Sequence, residues 1–236
     1  VDIPDPMNRL PPQFLHAPIA HRGFHDLDSG IPENSTAAFR AAMDAGYGIE
    51  LDVQLTVDDH PVVFHDYDLS RLTREKGPIR QRSLADLGTT PLNGGSEGIP
   101  SLADVLDLVA EQVPVLIEIK DQDGAMGPNV GELEAAVARV LQGYPGPVAV
   151  MSFNPNSVAR MATLAPETPR GLVTCGYRAD DWPLLPEATR ARLRRISDYA
   201  LLNACFISHE AKDLNRPRVA QLKSQGAALL CWTIRT

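Results

Sequence analysis

The strongest constraint on the fold of this chain is a regular alternation of short apolar runs with segments of helical periodicity. Runs such as "VPVLIEIK" and "PVAVMSF" are almost wholly apolar, so both faces of the strands that they form should be buried. Strands of this kind are typical of a parallel sheet that is covered by helices. The sequence therefore predicts an α/β fold in which successive strands are connected by helices.

The helical segments carry recognisable starts and stops. In "PENSTAAFRAAMDAG", Asn34 or Ser35 is the expected N-cap and Gly46 the expected stop. Ser101 begins a further helix with Asp104 three residues later, the spacing of a capping box. Four apolar residues of that helix share one face, which we expect to pack on the sheet: Leu102, Val105, Leu106 and Val109.

Two segments interrupt the alternation. Residues 67–98 are polar and contain several glycines, and we predict an inserted subdomain over one end of the sheet. Residues 179–199 are basic and helix-prone, which favours a solvated surface helix over a lid. A chain of 236 residues can bury a sizeable core, and we predict one domain over residues 1–236.

Charge, hydropathy and cysteine content argue against several classes of protein. The formal net charge of −8 argues against a nucleic-acid-binding protein, which needs a basic face. No apolar run reaches the roughly 18 residues of a membrane span. The widely spaced cysteines favour buried free thiols, and hence a reducing compartment such as the cytoplasm: Cys175, Cys205 and Cys231.

Polar side chains collect where the predicted strands end. Glu50 and Asp52 are two residues apart on one strand and so share a face, and Glu118 and Lys120 have the same relationship. Parallel β/α proteins gather their reactive groups at this edge of the sheet. The other polar or aromatic strand ends are His21, Arg22, His65, Asp66 and Trp232, the last of which could pack against a substrate.

Three carboxylates that meet in a buried space need a compensating positive charge, because an unpaired buried ion is costly. A divalent cation bound by Glu50, Asp52 and Glu118 would supply it, and an all-oxygen ligand set favours Mg²⁺ or Ca²⁺. An internal ion-pair network with Arg22 and Lys120 would supply it as well. Spacing alone leaves both interpretations open, and we favour the metal site.

The order of these motifs resembles the glycerophosphodiester phosphodiesterase family. The matching stretches are "AHRGFHDLDSGIPENS", "ELDVQLTVDDHPVVFHD" and "LIEIK", with "SF" and "WT" in the later strands, and the resemblance runs from about Pro18 onward. It implies a TIM (β/α)₈-type barrel with a small insertion subdomain after the second-strand hairpin. The family's last helix and strand have no counterpart here, so about seven barrel strands are expected.

The resemblance also implies a reaction and its residues. It implies a metal-dependent hydrolase, with Mg²⁺ or Ca²⁺, that converts glycerophosphodiesters to glycerol 3-phosphate and an alcohol. Paired histidines would provide acid–base catalysis, through a cyclic phosphate formed by the substrate's own hydroxyl. The implied roles are catalysis for His21 and His65, phosphate binding for Arg22 and Lys120, metal binding for Glu50, Asp52 and Glu118, and a place near the site for Glu33 and Asn34.

Two alternative functions remain to be weighed. Hydrolysis of lysophospholipids would need an apolar mouth or a membrane-binding helix, and residues 67–98 are too polar to suggest one. A non-catalytic phosphodiester-binding module would be expected to lack a histidine or carboxylate of the set, and all are present. The sequence therefore favours an enzyme that acts on a small glycerophosphodiester.

Overall fold

The computed structural model describes residues 9–235, and one eight-stranded sheet forms its centre. The strands are β1 (Ile19–Ala20), β2 (Gly48–Leu55), β3 (Pro61–Val63), β4 (Val115–Ile119), β5 (Val148–Ser152), β6 (Arg170–Thr174), β7 (Phe206–Glu210) and β8 (Ala228–Trp232). Seven strands run parallel in the order β1-β2-β4-β5-β6-β7-β8, and β3 pairs antiparallel with β2. The predicted parallel sheet and its strand count are confirmed.

Helices connect the parallel strands. They are α1 (Thr36–Asp44), α2 (Leu84–Gly88), α3 (Leu102–Val109), α4 (Glu132–Leu141), α5 (Pro155–Leu164), α6 (Glu187–Arg194), α7 (Asp198–Leu201) and α8 (Pro217–Ser224). The N-cap of α1 is Ser35, whose hydroxyl accepts from the Ala38 amide at 3.1 Å. Ser101 and Asp104 form the predicted capping box of α3.

The two faces of the sheet have different environments. On the outer face, alternate residues of β2 and β4 pack with helices α1, α3 and α4 in the largest apolar cluster: Ile49, Leu51, Val53, Val115, Ile117 and Ile119. The inner face carries a smaller cluster, which includes Leu116, Met151 and Phe206. Within residues 9–235, β1 and β8 do not pair with each other, so the curled sheet is an open barrel.

Residues 67–98 lie outside the strand–helix alternation and have an apolar cluster of their own. It contains Leu69, Ile79, Leu87 and Leu92, which pack with side chains on and beside β3. The Tyr67 hydroxyl donates to the Asp121 carbonyl at 2.6 Å, which ties the start of the segment to the loop after β4. At its other end, Glu97 accepts from the Ala37 amide at 3.0 Å and pairs with Arg40 at 3.2 Å.

The basic segment forms α6 and α7, and its arginines are used in structural contacts. Arg194 donates to the carbonyls of Gly176 and Tyr177 at 2.8 and 3.0 Å, and Arg190 donates to the Leu185 carbonyl. The predicted helix is therefore present, and it fixes the chain that follows β6.

One prediction about the cysteines is wrong. Cys175 and Cys205 are buried as expected, but Cys231 is exposed. Cys231 lies in β8, which pairs only with β7 within the described residues, so its side chain is less covered than those of inner strands. In the same part of the chain, no helix combines the length and the hydropathy that a bilayer span requires.

Candidate active site

The register of two neighbouring strands brings three acids together. Asp52 of β2 is the direct partner of Glu118 in β4, and Glu50 lies two residues earlier on the same face of β2. All three side chains are buried, and one oxygen atom from each lies within 4.8 Å of the others. The predicted trio therefore forms one cluster on the inner face of the sheet.

Two of the acids have cationic partners. The Lys120 ammonium lies 2.7 Å from Glu118 Oε1 and 3.3 Å from Asp52 Oδ1. Burial alone would raise the pKa of Asp52, but the charges of Lys120, His65 and Arg22 outweigh it and lower the pKa to about 2. Asp52 is therefore ionised at neutral pH.

Glu50 is the uncompensated member of the cluster. Its Oε2 accepts the backbone amide of Arg22 at 2.9 Å, and among residues 9–235 it makes no ion pair. Burial, followed by the charges of Asp52 and Glu118, raises the pKa of Glu50 well above its usual range. The ion-pair network therefore accounts for part of the cluster, and the remaining oxygen-rich space fits a hard divalent cation.

Arg22 and Asn34 approach the acids from residues in left-handed backbone conformations, with φ of 59° and 56°. The Asn34 amide donates to Asp52 Oδ2 at 3.0 Å. Arg22 Nη1 donates to Glu33 Oε1 at 2.8 Å, while its Nε lies 3.4 Å from Asp52 Oδ2. That Nε is buried without a hydrogen-bond partner, so the described side chains leave one buried donor available beside the acids.

The β2–β3 hairpin returns the second predicted histidine to the acids. Val63 of β3 pairs with Val53, and the Phe64 amide donates to the Asp52 carbonyl at 3.0 Å. Phe64 is therefore level with Asp52, and His65 follows it directly, close enough for its charge to act on Asp52. The family resemblance implied this hairpin.

The two histidines have different surroundings. Burial and the adjacent Arg22 charge lower the pKa of His21 to about 4, so its imidazole is neutral at pH 7. His65 Nδ1 lies 2.6 Å from Asp66 Oδ1, which leaves Nε2 as the ring atom free of that contact. His65 is also close enough to His21 to contribute to its lowered pKa.

One residue of this network, Arg71 from the 67–98 segment, was not predicted from the sequence. Its guanidinium contacts both Asp66 and Glu33, at 2.6 and 2.9 Å for the shortest pairs. No spacing rule connects Arg71 with Glu33, 38 positions away in sequence. The only available signal was its position a few residues after the His-Asp pair.

Trp232 lies at the end of β8 in an aromatic cluster. Its ring centroid is 5.6 Å from that of Phe153, and its indole N–H donates to the Ser208 carbonyl at 3.0 Å. Tyr177 belongs to the same cluster, with its centroid 6.3 Å from that of Phe153; burial raises its pKa, and the charges of Cys175 and Glu118 add to that rise. The aromatic side chains therefore lie on the acid-bearing face of the barrel.

His209 is the penultimate residue of β7 and faces the helix layer. Its Nδ1 lies 2.7 Å from the Thr174 hydroxyl and its Nε2 is 3.2 Å from the Asp213 carbonyl. Ile207, two residues earlier on the same face, packs with residues of α8. His209 is therefore separate from the acidic cluster.

Comparison with known proteins places the chain in a family. The model of the glycerophosphoryl diester phosphodiesterase family matches residues 21–236. A glycerophosphodiester phosphodiesterase of Caldanaerobacter subterraneus subsp. tengcongensis is 35% identical over 172 residues, 67% of each chain. One from Bacillus subtilis is 27% identical over 92% of this chain and 75% of its own length.

A solved structure supports the same assignment. An Oleispira antarctica phosphodiesterase, in complex with the product sn-glycerol-3-phosphate, superposes with a TM-score of 0.75 at 26% identity, over 93% of this chain and 85% of its own. Its barrel fold agrees with the curled parallel sheet described above. The chain belongs to the glycerophosphoryl diester phosphodiesterase family, and it is a hydrolase with a TIM-barrel-type fold.

Proposed function

We propose that this protein hydrolyses glycerophosphodiesters to glycerol 3-phosphate and an alcohol, with a divalent cation bound by Glu50, Asp52 and Glu118. The observation that carries the proposal is the buried group of three carboxylates with oxygen atoms within 4.8 Å of one another, beside Arg22 and Lys120. Family membership and the product-bound relative support the class of substrate.

Charge complementarity supports the cation. When all three carboxylates are ionised they outnumber the two neighbouring cations, Arg22 and Lys120, and the pocket alone would then repel an anionic diester. A divalent ion reverses that sign, and oxygen ligands favour Mg²⁺ or Ca²⁺. When bound, such an ion supplies Lewis acidity toward a phosphoryl oxygen and lowers the pKa of a nearby hydroxyl.

Two cationic side chains are suited to hold the phosphate. The buried Arg22 Nε is without a hydrogen-bond partner, and a phosphoryl oxygen is an acceptor that would satisfy it. Lys120 is largely buried and carries a positive charge that Glu118 and Asp52 stabilise. Together they would orient the diester relative to the histidines.

The histidines divide the proton transfers. His21 is neutral, so it is suited to accept the proton of the glycerol hydroxyl adjacent to the phosphate. His65, held by Asp66 through Nδ1, is suited to donate a proton to the departing alcohol oxygen. As the hydroxyl oxygen bonds to phosphorus, the bond from phosphorus to the alcohol oxygen breaks, and a cyclic phosphate forms.

Water would open the cyclic phosphate with the histidine roles reversed. We favour this route over direct attack by water because a neighbouring nucleophile has a large entropic advantage. A substrate analogue that lacks the adjacent hydroxyl tests it. Loss of turnover with that analogue supports the cyclic route, and unimpaired hydrolysis contradicts it.

An assay of purified protein on several head-group diesters tests the function. Glycerol 3-phosphate release is measured with Mg²⁺, with Ca²⁺ and after chelation by EDTA. We expect metal-dependent release that Glu118→Gln abolishes. Glu134→Gln is the matched control, because Glu134 is also buried but caps α4 outside the cluster. Absence of product from every diester with either ion would refute the proposal and favour a phosphodiester-binding module.

A second substrate class, the lysophospholipids, is favoured by one observation. Large apolar side chains are exposed on loops that follow β1, β3 and β6: Phe24, Leu27, Tyr67 and Leu184. Such side chains at the carboxyl ends of the strands could contact an acyl chain. Comparing kcat/KM for glycerophosphocholine and lysophosphatidylcholine distinguishes the classes, and we expect the smaller diester to be preferred.

A further inference from the structure

We propose that Arg71 is a positioning residue, which orients His65 through Asp66 and Arg22 through Glu33. The inference rests on the proposed function and deepens it, because it makes a residue of the 67–98 segment part of the machinery that the barrel strands carry.

Arg71 binds the Asp66 carboxylate through two hydrogen bonds. Arg71 donates to both carboxylate oxygens, from Nε to Oδ2 at 2.6 Å and from Nη2 to Oδ1 at 2.7 Å. Two parallel contacts of this kind fix the plane of a carboxylate, which a single contact does not. Asp66 Oδ1 also lies 2.6 Å from His65 Nδ1, so the guanidinium fixes the acceptor that orients the imidazole.

The consequence for His65 is a defined tautomer. An ionised carboxylate can only accept, so the Nδ1 that faces it carries the proton and Nε2 is left for proton transfer. Burial opposes ionisation of Asp66, but hydrogen bonds from Arg71 and His65 outweigh it and lower its pKa to about 2. Removing Arg71 frees the Asp66 carboxylate to rotate and weakens the preference of His65 for the tautomer protonated on Nδ1.

Arg71 also binds the Glu33 carboxylate through two hydrogen bonds. Arg71 Nη2 donates to Glu33 Oε1 at 2.9 Å and Nη1 donates to Oε2 at 3.2 Å. The same Oε1 accepts from Arg22 Nη1 at 2.8 Å, so Glu33 lies between two guanidinium groups. Arg22 is held through Nη1 on the side of Glu33, while its Nε remains beside Asp52.

The 67–98 segment fixes the origin of the Arg71 side chain. The Asn93 side-chain amide donates to the carbonyls of Arg71 and Thr73, both at 3.3 Å, and the Asn93 backbone amide donates to Leu72 at 2.8 Å. Lysine cannot reproduce the contacts, because an ammonium lacks the planar set of donors that serves two carboxylates at once. The ion pairs of Arg71 therefore fix the orientation of two carboxylates, which an isolated surface ion pair does not.

Kinetics of Arg71→Ala, with Arg40→Ala as the matched control, provide the first test. Arg40 also joins the barrel to the 67–98 segment, through Glu97, but contacts neither histidine partner. We expect kcat of Arg71→Ala to fall about 10- to 100-fold, the usual effect of losing an outer partner of a catalytic group. Millimolar guanidinium ion should restore part of the loss, Arg71→Lys should remain impaired, and Arg40→Ala should retain wild-type kcat.

The ¹⁵N chemical shifts of the imidazole rings at pH 8 provide a test that is independent of activity. The wild-type protein should show His65 protonated on Nδ1, with the signal assigned by its loss in His65→Gln. In Arg71→Ala, whose fold is checked by circular dichroism, the two tautomers should mix. An unchanged tautomer together with wild-type kcat would overturn the inference while leaving the proposed function intact. Failure of wild-type protein to hydrolyse any diester would instead refute the proposed function, and the tautomer would still decide the inference.

Discussion

Replacing Glu50 with glutamine should stabilise the metal-free protein, although it removes a charged residue from the proposed active site. Glu50 is buried with Asp52 and Glu118, and their charges together with burial raise its pKa. Two unit charges 4.8 Å apart repel by about 3.5 kcal/mol at an effective dielectric constant of about 20. Glutamine keeps the shape of the side chain and its capacity to accept the Arg22 amide, so the substitution removes mainly the repulsion.

The net gain in stability from Glu50→Gln is smaller than the summed repulsion of Glu50 with Asp52 and with Glu118. Lys120 and Arg22 offset part of the negative potential, and Glu50 itself can take up a proton. We therefore expect the free energy of unfolding to rise by about 1–3 kcal/mol at pH 8, which corresponds to roughly 2–12 °C in Tm for a chain of this size. A carboxyl whose pKa is raised on folding lowers the free energy of unfolding only at pH values above its pKa in the unfolded chain, which is 4.5 for Glu50. The gain in Glu50→Gln should consequently grow from acid toward neutral pH.

Thermal unfolding in EDTA and in excess Ca²⁺ measures the stability of each variant without and with a bound cation. In EDTA, Glu50→Gln should exceed wild type; in Ca²⁺, wild type should gain stability while the variant gains little. Glu134→Gln serves as the control and should lose stability in both buffers, because it weakens the cap of α4. If Glu50→Gln also lost stability in EDTA, the cluster would not be electrostatically strained and the reasoning would fail.

Three further predictions follow from the site. His65→Gln should lower kcat about 10²–10⁴-fold without loss of secondary structure, as measured by diester turnover and circular dichroism, and near-wild-type turnover would exclude His65 as a proton donor. The pKa of His21 is lowered on folding from 6.5 to about 4, so its contribution to stability should fall by up to about 3 kcal/mol as pH drops through that window. The difference in unfolding free energy between wild type and His21→Asn measures this, and a pH-independent difference would contradict the shift. Gly23→Ala should destabilise the protein by about 2–4 kcal/mol, because Gly23 has a φ of +80° and a Cβ there would lie 2.7 Å from Ala38 Cβ. Its Tm measures this loss, and a wild-type Tm would show that the backbone can relax.

Local patterns were sufficient to predict a parallel sheet connected by helices, whereas the barrel was implied only by the family resemblance. The apolar runs and the Ser101 capping box depend on neighbours within a few residues, and each is found where the sequence indicated. The acidic trio was also predictable, since Glu50 and Asp52 share a face by period two and parallel strands align their carboxyl ends. The wrong prediction for Cys231 has a different origin, because the exposure of a strand depends on which neighbours cover it.

The outer contacts of the site could not be predicted in the same way. Asn34 reaches Asp52 across 18 positions, and Arg71 reaches Glu33 across 38, through a segment whose position depends on its own apolar cluster. Neither pairing follows a helical or strand period. Sequence analysis left the choice between a metal site and an ion-pair network open, and the geometry contains elements of both. Lys120 and Arg22 form ion pairs with Asp52, and Lys120 also pairs with Glu118. Among residues 9–235, Glu50 makes no ion pair.

Crystals soaked in Mn²⁺, which substitutes for Mg²⁺ and scatters anomalously, test the metal site most directly. We predict one anomalous peak among the carboxylates of Glu50, Asp52 and Glu118, with Lys120 displaced from at least one of its acidic partners. A map without a peak there at saturating Mn²⁺, with the ammonium still 2.7 Å from Glu118, would contradict the proposal that these acids bind a cation.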